Sequence, residues 1–179
     1  LRGNMSDIRE DFSTRGLTDA IETSLHAQWV SRGGAPGSET YDGPDMTWAF
    51  TGTSLRAMNC VVRTRLEPET ADAKIEETLA HFRSREVPMI WWVGPTSQAS
   101  DLGQRLEAHG MLHLEDLPGM ALDLHELNEE TATPPGLTIE HVEDEETLGT
   151  FVRTAAAGFG LPPGGAESLF IVNSRPGYG

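Results

Sequence analysis

The sequence predicts an α/β (α+β) fold in which helices flank a mixed, mostly antiparallel sheet. Three patterns predict it. Two apolar stripes recur at helical spacing, over about 15–31 and 71–82. Two pairs of alternating segments read as hairpins, at 46–65 and 111–124. One apolar run without alternation, Met89-Ile90-Trp91-Trp92-Val93, has the mark of a strand covered on both faces.

The 179 residues suit one domain, or one domain and part of another, and a chain of this size can bury roughly 70% of its unfolded surface. With 28 acidic and 13 basic residues the formal charge is −15. Such a surface argues against nucleic acid, which demands clustered Lys and Arg, and favours a cationic ligand. Lys74 is the only lysine and Cys60 the only cysteine, so no intrachain disulfide and no cysteine-based metal site is expected. Residues before Met5 read as upstream sequence, without an apolar signal segment. No apolar run approaches the length of a membrane span, and the expectation is a cytoplasmic protein.

The elements follow in order. Residues 1–14 read as a loose N-terminus. Leu17, Ile21, Leu25 and Trp29 form the first stripe, ended by Gly33-Gly34. Met46, Trp48 and Phe50 should share one face of a strand, with Thr47, Ala49 and Thr51 on the other. Gly52-Thr53-Ser54 turns the chain into a second strand, 58–65. Pro68-Glu69-Thr70 opens a helix carrying Ala71, Ile75, Leu79 and Phe82, stopped by Pro88. The apolar run 89–93 is the expected central strand. A helix over 100–109 carries Leu102 and Leu106, with Gly110 as its left-handed C-terminal cap. Strands at 111–117 and 120–124 then flank Pro118-Gly119, with Leu112, Leu114, Leu122 and Leu124 on one side. Residues 126–136 read as a linker. A short strand, Leu137-Thr138-Ile139, precedes a helix over 144–158 that buries Leu148, Phe151, Val152 and Ala155 and has acidic residues at its N-terminus. Residues 158–165 and 173–179 read as loose.

This succession resembles the acetyl-CoA-dependent N-acetyltransferase superfamily, usually called GNAT, over about 46–163. The residues carrying the likeness are Pro88-Met89-Ile90-Trp91-Trp92-Val93-Gly94-Pro95, Asp101-Leu102-Gly103-Gln104-Arg105-Leu106, Gly110-Met111 and Pro118-Gly119-Met120-Ala121. Pro135-Gly136-Leu137-Thr138-Ile139 and Gly158-Phe159-Gly160-Leu161-Pro162 extend it. Together they are similar to the leading part of two-lobed members whose first lobe is degenerate. The resemblance implies a three-layer fold: a lobe over 15–125, the linker, and the start of a second, incomplete lobe over 137–179. It also implies acetyl transfer from acetyl-CoA to a primary amine, here a small cationic one.

Catalytic lobes of that family hold the cofactor diphosphate on a glycine-rich loop between a strand and a helix. The matching position here is Leu66-Glu67-Pro68-Glu69-Thr70, with no glycine, a proline lacking its N–H, and two carboxylates. The helix over 100–109, where the family often places a general-acid tyrosine, has none; Tyr41 and Tyr178 lie elsewhere. This chain alone is therefore not expected to bind acetyl-CoA, and its catalytic residues are unassigned. The alternative is a non-catalytic scaffold or dimerisation module, with a homodimer or a self-covered edge expected around 137–139.

A candidate ligand cleft lies at the turn after the apolar run: Trp92, Gly94, Thr96 and Ser97. Thr96 or Ser97 could cap the next helix or grip an anion. Trp91 and Trp92 could stack on a ligand from opposite faces of the strand, and a covered strand equally takes them as core. His109 and His113, separated by Gly110, do not read as a metal pair. Cys60 reads as a small core residue, and the acids at 143–146 as a solvated helix start.

Overall fold

The structure is a computed structural model and describes residues 11–31, 37–128, 134–162 and 164–173. Helix α1 spans Thr14–Ser31. Strands β1 (Glu39–Asp42), β2 (Met46–Phe50) and β3 (Cys60–Thr64) follow, then helix α2 (Ala71–Arg83) and strand β4 (Ile90–Trp91). Helices α3 (Leu102–Ala108), α4 (Glu145–Gly158) and α5 (Gly165–Asn173) complete the elements. The sheet runs β1-β2-β3-β4, antiparallel through β3 and parallel between β3 and β4. A mixed sheet with flanking helices is what the sequence predicts. Among the described residues no helix is long and apolar enough to cross a membrane.

The two sides of the sheet have separate cores. On one side Met46, Val61, Leu66 and Trp91 pack against Ile75 and Leu79 of α2 and Leu102 and Leu106 of α3. On the other, Ala49, Cys60 and Val62 pack beneath Trp29 of α1, with Leu25, Ile90 and Trp92 at the margin. Each fully buried aliphatic or aromatic side chain, such as Ile75 or Phe82, contributes about 1.5–3 kcal/mol. The second stripe is thus buried as its spacing predicts. In the first stripe only Trp29 is buried; Leu17, Ile21 and Leu25 are half-exposed, Leu25 at the margin of the core beneath Trp29.

One irregularity aims a charged side chain. Thr47 pairs with Arg63 and Trp48 with Val61, which leaves Val62 as the extra residue of a bulge. A bulge lets neighbouring side chains leave a strand on the same side. Val62 joins the α1-facing core, and Arg63 reaches Asp42 at 2.8 Å and the Gly43 carbonyl at 2.7 Å.

Asn59, fully buried just before β3, ties three segments together. Its side-chain oxygen accepts the Thr51 N–H at 3.0 Å, and its amide donates to the carbonyls of Thr53 (2.9 Å), Leu55 (3.3 Å) and Pro88 (3.1 Å). The turn between β2 and β3 and the approach to β4 thereby share one hub.

Several expectations need correction. The sequence carries no signal for strand β1: Glu39-Thr40-Tyr41-Asp42 has no apolar alternation and forms because β2 offers it an edge. Pro88 does not stop α2, which ends at Arg83; the Ser84 N–H bonds back to Ala80, and Glu86 takes a φ of 54°. The run 89–93 is not central. It supplies the two-residue strand β4 at the end of the sheet, Trp91 facing one core and Ile90 and Trp92 the other. Gly110 does cap α3 at φ 87°, with its N–H on Glu107 and the Met111 N–H on Leu106. Beyond Met111 no hairpin forms: a two-residue β4 offers too little ladder for the alternating segments to lie on, and their leucines are exposed. Residues 137–139 form no strand either, and Ile139 is 82% exposed.

Helix α4 matches its predicted span and opens with a capping box between Asp144 and Thr147, an arrangement that satisfies donors at a helix start. Val152 is its buried apolar residue; Leu148 and Ala155 are half-buried and Phe151 is exposed. Helix α5, unforeseen in the sequence, packs on α4. Of the segments read as loose or linking, residues 1–10, 32–36, 129–133, 163 and 174–179 lie outside the described residues.

Asn59→Ala should leave the Thr51 N–H and the carbonyls it serves without partners, lowering stability by about 3 kcal/mol in urea unfolding. Asn59→Asp should be no milder, because a carboxylate cannot donate to those carbonyls.

Candidate functional site

The half-exposed stripe of α1 overlooks a cleft of about 810 Å³. Its origin is in the sheet. The Trp92 N–H still bonds to the Val61 carbonyl at 2.9 Å, and the chain rejoins β3 only where the Gln98 N–H meets the Thr64 carbonyl at 2.9 Å. Residues 93–97 bow outward between those points, and residues 117–119 close the far wall. The cleft therefore opens beyond the carboxyl ends of a parallel strand pair, a usual place for ligands in α/β sheets.

Trp92, Gly94, Thr96 and Ser97 all line it. Trp92 is half-buried, and its indole N–H is shielded without a hydrogen-bond partner among the described residues. Gly94 and Ser97 close the turn on each other: the Ser97 N–H donates to the Gly94 carbonyl, and the Gly94 N–H to the Ser97 hydroxyl, both at 3.0 Å. Thr96 presents its N–H to Glu22 Oε1 at 3.1 Å and its hydroxyl to Glu22 Oε2. Neither residue caps α3, whose N-cap is Asp101, so the capping alternative is corrected. The turn grips an anion, and the anion belongs to the chain. A Cβ at position 94 would meet that carboxylate, so the Glu22 side chain as placed lies directly against the backbone of Gly94. Trp91, by contrast, is buried and donates its indole N–H to the Thr64 hydroxyl at 2.9 Å, a core role.

Reading the sequence missed the α1 side of this site. Glu22 and His26 stand four apart beside the apolar stripe, the available signal that one flank of α1 carries polar groups inward. His26 Nε2 lies 2.9 Å from Asp42, which also accepts from the Thr47 hydroxyl at 2.7 Å and from Arg63. The His26 and Thr47 hydrogen bonds, assisted by the Arg63 charge, hold the Asp42 carboxyl below the ordinary range. Asp19 and Arg65 complete the charged lining. Arg65 is exposed and makes no ion pair among the described residues.

The other candidates fall elsewhere. Leu66 is buried while Glu67, Pro68, Glu69 and Thr70 are exposed between β3 and α2. The Thr70 N–H is already bonded to the Glu67 carbonyl at 3.0 Å, and Pro68 has none to offer. With carboxylates on either side of that proline, these residues do not fit the diphosphate of acetyl-CoA. Tyr41 donates to Asp45 at 2.8 Å on β1, away from α3. His109 bridges to Glu76 (3.1 Å) and Asp72 (3.3 Å) of α2, whereas His113 pairs with Asp116, so the two histidines share no partner. No group of metal-ligating side chains occurs among the described residues. Cys60 is fully buried in the α1-facing core.

A second feature begins where the chain leaves the core. Leu112, Leu114, Leu117, Met120, Leu122 and Leu124 are all exposed, Leu112 by 83% and Met120 by 85%. No backbone hydrogen bond ties residues 112–122 to other described residues. Six large apolar side chains within thirteen residues are thus left facing solvent.

The Asp42 cluster sets a pH dependence. Its lowered carboxyl stabilises the fold above the unfolded value of about 4, and that contribution is lost as pH falls through the lower folded value. Asp42→Asn should be less stable than the parent at pH 7, and urea unfolding at descending pH should show the gap narrowing below about 4.

Comparison with protein-family models, with curated proteins and with solved structures finds no match to this chain.

Proposed function

We propose that the chain is a non-catalytic, acetyltransferase-like module that works by assembly, two copies joining through the segment after α3. The observation that carries this reading is the exposed apolar row from Leu112 to Leu124, whose backbone over 112–122 makes no backbone hydrogen bond to other described residues. Leu112 and Leu114 alternate with His113, and Leu122 and Leu124 with Asp123, as strand residues do when one face seeks cover. A second copy offers the same row, so an isologous, two-fold contact can bury both at once. Glu115, Asp116, Asp123 and Glu126 border the row and repel their counterparts, which opposes the contact at low salt.

The catalytic reading, acetyl transfer from acetyl-CoA to a cationic amine, lacks comparable support. The loop at residues 66–70 carries carboxylates and a proline where diphosphate donors are required.

Sedimentation should find a dimer that tightens as salt rises, since screening weakens the acidic repulsion. Leu112→Glu with Leu122→Glu should yield a folded monomer, because these exposed side chains add little to the stability of one copy. Acetyl-CoA titrated by calorimetry should give no binding heat. A monodisperse monomer at high protein concentration and high salt would defeat the assembly reading, and saturable acetyl-CoA binding would restore the enzyme.

A further inference from the structure

The cleft beneath α1 has three properties that together specify a ligand. Its volume, about 810 Å³, is that of a small-molecule site. Ile21, Leu25, Val62, Val93 and Leu117 give it apolar walls, with the half-buried Trp92 among them. At its rim the turn at Thr96 already performs carboxylate recognition, the backbone N–H at 3.1 Å from Glu22 and the hydroxyl on the other carboxylate oxygen.

We propose that the cleft binds a small organic carboxylate, an apolar body ending in one carboxylate group, whose head displaces Glu22 from Thr96. The displaced contact is exposed, so solvent competes for it, and a side chain on a helix surface leaves by rotating about its own bonds. Arg65 lines the same cleft with no ion pair among the described residues, and it supplies the charge that an incoming carboxylate requires. Arg63 and His26 are committed to Asp42 and take no part. Asp19, three residues before Glu22, opposes the anion; together the two acids set the threshold that a ligand must exceed. Glu22 thus acts as a resident competitor. The cationic ligand suggested by net charge does not match the Thr96 rim, where both groups offered to the carboxylate are donors.

The test uses the intact chain with phenylacetate as the anionic probe and phenethylamine as its cationic counterpart. Calorimetry should show saturable one-to-one binding of phenylacetate and none of phenethylamine. Glu22→Ala should tighten phenylacetate by about tenfold, since the competitor and its charge are both gone. Thr96→Val should weaken phenylacetate binding to the Glu22→Ala chain by about tenfold or more. Both positions lie at the surface of the site, and circular dichroism checks that each variant is folded. If Glu22→Ala is unfolded, Glu22→Gln, which keeps the shape and removes the charge, takes its place with the same expected direction. The proposal is overturned if phenylacetate fails to bind the variant lacking the Glu22 charge. Tighter binding of phenethylamine than phenylacetate also overturns it, as does an affinity unaffected by Thr96→Val.

Discussion

The buried amide of Asn59 is the constraint on which the rest of the architecture depends. One side chain terminates the β2–β3 turn and receives the chain that is about to become β4. Because it bonds the Pro88 carbonyl, it sets where β4 enters beside β3, and hence that the Ile90 N–H meets the Asn59 carbonyl. A hydrogen-bonded side chain in a dry interior is costly to rearrange, so the parallel pairing is fixed most firmly at that end. The other end, past Trp92, is held only at Gln98, and the gap between them becomes the cleft.

The bulge at Val62 complements this arrangement. Alternation from Cys60 already puts Val62 in the core under α1, and the irregular pairing turns Arg63 to that side as well, toward Asp42. Asp42 in turn holds His26, so a distortion of a single residue couples β1, β3 and α1. The opposite side needs no such device, since Ile75, Leu79 and Phe82 of α2 fill it by packing.

Much of the fold was legible from periodicity. The spacing of Ala71, Ile75, Leu79 and Phe82 marks α2, and Met46, Trp48 and Ala49 divide between faces as alternation requires. Gly110 is readable because a left-handed residue after a helix favours glycine. What escaped was decided by tertiary context. Tyr41 and Asp42 become a strand because β2 provides an edge, and no local propensity announces it. The leucines after Met111 have the pattern of strands but lack a ladder long enough to hold them. In the site, Gly94 and Thr96 could be picked out as a turn after a strand. Glu22 could not, because its bond spans 74 residues of sequence.

The outer strand β1 carries Glu39 and Asp42, each engaged in ion pairs, and leads into Gly43. Charged side chains along a sheet margin discourage other strands from aligning there. At the other end of the sheet, β4 is Ile90–Trp91 and carries no charged side chain. Lateral growth of the sheet past β1 is thereby disfavoured, whatever meets the β4 side.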